Sequence, residues 1–143
     1  MVENLLVKEY REEGSIIVEA LLKHSIPVEA AFWSYYGLYE RWEFYIVSRW
    51  ADKKGINTTY GEIYDAIEEL DELELLSLTD IRLIGLSDSL YKQYKEVLKK
   101  HQEKGGKQRR TTSGRIRECV PYFGPDYQFY SYDIKLLKQH ALQ

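Results

Sequence analysis

The sequence predicts an α+β fold: a single two-layer domain spanning 1–143, with a largely antiparallel sheet of about five strands and three main helices, in the order α-β-β-α-β-α-β-β. Three observations predict it. Segments 28–50 and 115–134 are rich in aromatic residues, alternate at the two-residue period of a strand, and are each divided by a turn signal. Around them, apolar residues recur at the three-to-four spacing of amphipathic helices. The chain has 143 residues, 44% hydrophobic and 30% charged; at that size a domain buries roughly 68–70% of its unfolded surface and needs no metal or disulfide to fold. Two tight hairpins favour antiparallel pairing, and the helices are expected to cover one face of the sheet.

The first helix is expected over 3–24, where Leu6, Tyr10, Ile17, Val18, Leu21 and Leu22 form one stripe. Gly14 interrupts it, which predicts a kink or a frayed first part. Pro27 lies beyond its end. A hairpin follows, about 28–36 paired with 40–50 around Gly37; nine of the nineteen residues from Phe32 to Trp50 are aromatic, which suits a pleated, half-buried surface. On its second strand Trp42, Phe44, Ile46 and Trp50 make the better core face, and Arg41, Glu43, Tyr45, Val47 and Arg49 share the other. Thr59 and Glu62 have the spacing of a capping box, opening a helix with Tyr60, Ile63, Ile67 and Leu70 inward. A third strand is expected at about 78–85. Ser87 or Asp88 then caps a helix with Leu90, Tyr94, Val97 and Leu98 inward, which ends at Gly105 and Gly106. Two strands, about 115–123 and 127–134, are joined by Gly124-Pro125-Asp126, and a short helix begins near Ile134.

The charges are unevenly spread. Residues 1–91 hold eight Lys and Arg against eighteen Asp and Glu; residues 92–143 hold twelve against five. The balances are −10 and +7. Such asymmetry points to an anionic partner for the basic half, or to attraction between the halves within one chain or across a homo-oligomer. The single cysteine, Cys119, fits a reducing compartment. With no signal-peptide pattern and no apolar run of membrane-spanning length, a cytoplasmic location away from membranes is expected.

No motif for catalysis or metal binding stands out. His24, His101 and His140 lack the local His or Cys neighbours of a zinc site, so no metal and no cofactor are expected. Eight acids lie between Glu62 and Asp80, but Glu62, Asp65, Glu69 and Glu72 follow the spacing of a solvated helix face. Gly105 and Gly106 lack the spacing of a phosphate-binding loop. Cys119 follows Arg115 and Arg117, and a nearby cation lowers a thiol pKa; a small buried side chain is the simpler role for a lone strand cysteine.

What remains is the run from Lys92 to Arg117, with ten Lys and Arg against Glu96 and Glu103. It leads into Tyr122, Phe123, Tyr127, Phe129, Tyr130 and Tyr132. Basic side chains attract phosphates and carboxylates, and exposed aromatic rings stack bases. The sequence therefore predicts a non-catalytic binding module whose segment 104–117 is mobile and exposed. Lys104, Lys107, Arg109, Arg110, Arg115 and Arg117, with Tyr122 and Tyr127 at the turn, would contact nucleic acid or an acidic protein surface. The alternative is an enzyme acting on nucleic acid or a phosphorylated substrate through Arg115, Arg117 and Cys119 or nearby tyrosines.

Overall fold

A computed structural model of the chain describes residues 6, 8–36, 38, 40–103, 119–124 and 126–141. Helix α1 (Lys8–Lys23) precedes the hairpin of β1 (Ala30–Tyr36) and β2 (Arg41–Val47); α2 (Arg49–Lys53) and α3 (Ile56–Glu68) follow. A 3-10 turn (Leu78–Asp80) enters β3 (Ile81–Ile84), and α4 (Ser89–Glu103), β4 (Cys119–Phe123), β5 (Gln128–Tyr132) and α5 (Ile134–Ala141) complete the chain. The α+β class and the order of the main elements are as the sequence predicts.

The five strands form one mixed sheet in the order β3-β2-β1-β5-β4. Three of its pairings are antiparallel, including that of Phe32 with Ser131, which joins the two hairpins at the centre. β3 instead runs parallel to β2, with Phe44 opposite Ile81. The cause is the connection. The chain leaves β2 through α2 and α3, and a helical crossover returns a strand in the direction it left.

The helices do not gather on one face. Trp33, Phe44, Ile46, Ile81 and Tyr132 pack toward α1, α3 and α5, where Ile17, Leu21, Ile63 and Leu137 are fully buried. Alternate residues of the same strands, Phe32, Val47, Tyr122 and Phe129, pack against Tyr94 and Val97 of α4 on the opposite face. This corrects the one-sided arrangement expected from the sequence. The physical reason is visible in β1, whose residues Ala30 to Trp33 are all buried. A strand covered on both faces reads as a continuous apolar run, not as an alternation.

Local expectations are corrected in four places. α1 passes through Gly14 without a break, because the glycine admits the hydroxyl of Tyr132 against the helix backbone. That hydroxyl donates to the Arg11 carbonyl (2.7 Å) and accepts from Trp33 Nε1 (2.9 Å). Trp50 lies in α2 rather than on β2, since Ser48 ends the strand and caps the helix by accepting from the Trp50 amide (3.2 Å). Trp42 is partly buried while Phe44 is fully so. Thr59 is not a cap: α3 begins at Ile56 after Gly55, whose φ of 89° suits glycine, and Thr59 donates to the Gly55 carbonyl (2.9 Å). The capping box sits instead at Ser77 and Asp80, where the Ser77 amide donates to Asp80 Oδ2 (2.9 Å).

Both sheet edges are blunted. The Tyr60 hydroxyl donates to the Ile81 carbonyl (2.7 Å) and accepts from the Leu83 amide (2.9 Å), filling hydrogen-bonding positions that another strand would use. On the far edge, Pro121 in β4 offers no amide. The segment before the 3-10 turn is tied down by the buried Glu13 of α1, whose carboxylate accepts from the amides of Glu74 (3.1 Å), Leu75 (3.0 Å) and Leu76 (3.0 Å).

Candidate functional site

The described part of the basic half is centred on α4. Asp88 starts this helix, accepting from the Leu90 amide through Oδ1 (2.9 Å), as the sequence indicates. Leu90, Tyr94, Val97 and Leu98 face the sheet. Tyr94 stacks on Phe32 with ring centroids 4.2 Å apart, and its hydroxyl shares a hydrogen bond with Ser131. That inward stripe fixes the opposite face, where Lys92, Lys95, Lys99 and Lys100 are all exposed. Among the described residues none of these lysines makes an ion pair; Lys95 Nζ instead lies 4.6 Å from the centre of the Tyr91 ring. Lys100 and His101 in the last turn suit the negative end of the helix dipole.

His101 carries the inward stripe one turn further. Its Nε2 shares a hydrogen bond with the Tyr127 hydroxyl (3.0 Å), and its ring meets the Tyr122 ring edge-on at 5.0 Å. The end of α4 is thereby anchored to the β4–β5 hairpin. Spacing could have revealed this, since Tyr94, Val97 and His101 continue one three-to-four pattern. Of the residues expected to form a site, Tyr122 is buried and Tyr127 is half-buried beside it. Lys104, Lys107, Arg109, Arg110, Arg115 and Arg117, and with them the expected mobile segment 104–117, lie outside the described residues.

Between α4 and the β4–β5 hairpin runs a groove of about 540 Å³, lined by Tyr91, Tyr94, Leu98, Val120 and Tyr122, with Lys95 and Lys135 contributing cations and Glu29 and Asp133 anions. Of its aromatic rings Tyr94 and Tyr122 are committed to packing, while Tyr91 is half-buried. Phe129, Tyr130 and Tyr132 are buried like Tyr94 and Tyr122, so these strand aromatics do not form a solvent-facing platform for bases.

Cys119 begins β4 and is buried. Burial pushes its thiol up to about 12, and the opposing effect of Arg11 does not offset it. A thiol in that state is not a nucleophile near neutrality. Burial likewise pushes Tyr94 up to about 12. The acids Glu62, Asp65, Glu69 and Glu72 are all exposed, but α3 ends at Glu68, so Glu62 and Asp65 alone of the four lie on the helix. Among the described residues no group of three or more His, Cys, Asp or Glu could hold a metal ion, and no helix is long and apolar enough to cross a membrane. α3 and α4 cover opposite faces of the sheet, so the acidic helix and the described lysines do not meet within one chain. No protein-family model matches the chain, and comparison with curated proteins and with solved structures gives no match.

Proposed function

We propose that the chain is a non-catalytic binding module that docks an acidic protein surface on the lysine face of α4 and on the basic residues of 104–117, which follow it in the sequence. The observation that carries this is the exposure of Lys92, Lys95, Lys99 and Lys100 on one helix anchored at both ends, by Asp88 at its start and by His101 on Tyr127 at its finish. A rigid row of cations raises the local concentration of anionic partners and orients them. An acidic protein surface is favoured over nucleic acid because most of the neighbouring aromatics, Tyr94, Tyr122, Phe129, Tyr130 and Tyr132, are buried, which leaves little ring surface for base stacking beyond half-buried Tyr91 and Tyr127. The enzymatic alternative loses its nucleophile in Cys119, whose thiol is protonated by burial.

Fluorescence anisotropy at low salt, with labelled poly-glutamate and a labelled single-stranded RNA, tests this. Poly-glutamate should bind the unmodified protein. Replacing Lys92, Lys95 and Lys99 by alanine, or Lys107, Arg109 and Arg110 by alanine, should weaken binding and flatten its salt dependence. Either triple change should move stability by no more than about 0.5 kcal/mol per site if the replaced side chains are exposed. Binding of RNA alone would transfer the role to nucleic acid. Binding of neither would remove the proposal.

A further inference from the structure

The groove beside α4 has an apolar wall that the lysine face does not use. On the helix, Tyr91, Lys95 and Leu98 fall at intervals of four and three residues and share one flank. Across from them stand Val120 of β4 and Ile134 at the start of α5. Tyr91, Leu98, Val120 and Ile134 are each half-buried, so they pack against the core and still present apolar surface to the opening. From Tyr91 to Leu98 the groove follows the helix for about 10 Å. That is room for one or two side chains of an extended segment, whose alternate residues stand about 7 Å apart.

Charge decides what kind of chain brings those side chains. Lys95 and Lys135 stand on the groove and are exposed, and among the described residues neither makes an ion pair. Lys99 lies one turn beyond Lys95 and Lys92 one turn before it, so the lysine row borders the groove along its helical wall. The acids there already have partners. Glu29 accepts from Arg49 Nη1 (3.0 Å), and Asp133 accepts from the Leu136 amide (3.1 Å) at the start of α5. The groove thus offers apolar surface beside exposed ammonium groups. A segment that sets carboxylates on the lysines brings its intervening side chain against Tyr91, Leu98 and Val120.

We propose, resting on the docking role of the lysine face, that the groove takes an aliphatic side chain of the same acidic partner. The partner is then an acidic segment with an apolar anchor, and the anchor selects it among anionic surfaces that the lysines alone attract equally.

Two labelled peptides test this at low salt: an oligo-glutamate with one central leucine, and the same peptide with serine in its place. By fluorescence anisotropy the leucine peptide should bind about tenfold tighter, as partial burial of one leucine side chain gives. In 1H–13C methyl spectra it should shift the Leu98 and Val120 signals saturably and leave Leu75, which is exposed and does not line the groove, in place. Leu98→Gln on one wall and Val120→Thr on the other should each bring the leucine peptide down toward the affinity of the serine peptide, and Leu75→Ser should change nothing. An unaltered methyl spectrum outside the groove confirms each variant's fold. Equal binding of the two peptides overturns the anchor and leaves the docking role of the lysines standing; binding of neither removes both. The anchor is also overturned if the leucine peptide leaves Leu98 and Val120 unmoved, or if both groove variants bind it as tightly as the parent. Shifts of the same signals on concentrating the protein alone would put a second copy in the groove and overturn it as well.

Discussion

Gly14→Ala should destabilise the protein, although the same change in an open helix stabilises it by about 1 kcal/mol. A Cβ at residue 14 would fall against the Tyr132 hydroxyl, with Tyr132 Cζ at 2.9 Å and Trp33 Nε1 at 3.2 Å. Tyr132 cannot yield freely, because it is buried and its hydroxyl bridges the Arg11 carbonyl and the Trp33 indole. Overpacking costs about 1–3 kcal/mol. If Tyr132 swings aside instead, the buried Trp33 N–H loses its partner, which costs about 1–3 kcal/mol. Set against the helix-propensity gain of about 1 kcal/mol, a net loss of about 1–2 kcal/mol is expected where the clash is not relieved. Urea denaturation followed by tryptophan fluorescence measures it as a lower midpoint with an unchanged slope. Gly61→Ala is the matched control: this glycine is in α3 with nothing within 4 Å of the added Cβ, and it should gain about 0.5–1 kcal/mol. In Gly14→Ala with Tyr132→Phe the losses should add to less than their sum, since the hydroxyl responsible is gone. A Gly14→Ala midpoint at or above that of Gly61→Ala would refute the reasoning.

Glu13→Ala removes a buried acceptor of three backbone amides, and a loss of about 2–3 kcal/mol is expected in denaturation, with faster amide exchange confined to 74–76. Cys119 should resist iodoacetamide at pH 8 in the folded protein and react once urea unfolds it, because burial holds its thiol up near 12. The raised values of Cys119 and Tyr94 also fix the sign of the alkaline response. Their unfolded counterparts lose protons first, so stability is intact below the unfolded values near 9–10 and falls as pH rises toward 12; a denaturation midpoint that stays level over that window would contradict the burial argument. Copies of the chain are expected to associate at low ionic strength through the α3 and α4 faces, seen as earlier gel-filtration elution that grows with concentration and is reversed by salt. Elution as a monomer at every condition removes that association.

Sequence patterning located the elements because most obey one period. It failed where two environments meet in one strand. Phe32 and Trp33 are adjacent, and both are buried on opposite faces, so alternation could not show that α4 adds a second cover. It failed again where a residue acts at long range. Gly14 looked like a helix defect because its partner, Tyr132, is 118 positions away in the chain. Glu13 has no local mark of its role, since the amides it accepts from lie at 74–76. By contrast, the lysine face of α4 and its inward stripe belong to one helix and could be read directly.

The charge segregation itself argues for an outward role. Helices packed on opposite faces of a sheet stand roughly 20 Å apart, from packing distances of about 10 Å on each side. Across that distance in water one pair of opposite charges gains only about 0.2 kcal/mol before screening. At about 0.1 M salt the separation is roughly two Debye lengths, which removes most of even that. Meanwhile the like charges within each face are close: Glu62 and Asp65 on α3, and Lys92, Lys95 and Lys99 on α4, each follow one another along a single helix. Like charges at three- and four-residue spacing destabilise a helix by a few tenths of a kcal/mol per pair. On α4, Glu96 lies four residues from Lys92 and from Lys100 and offsets part of that repulsion, whereas α3 holds no Lys or Arg. The separation therefore contributes little to the stability of the isolated fold, and association at low ionic strength is the outcome that measures what it does contribute.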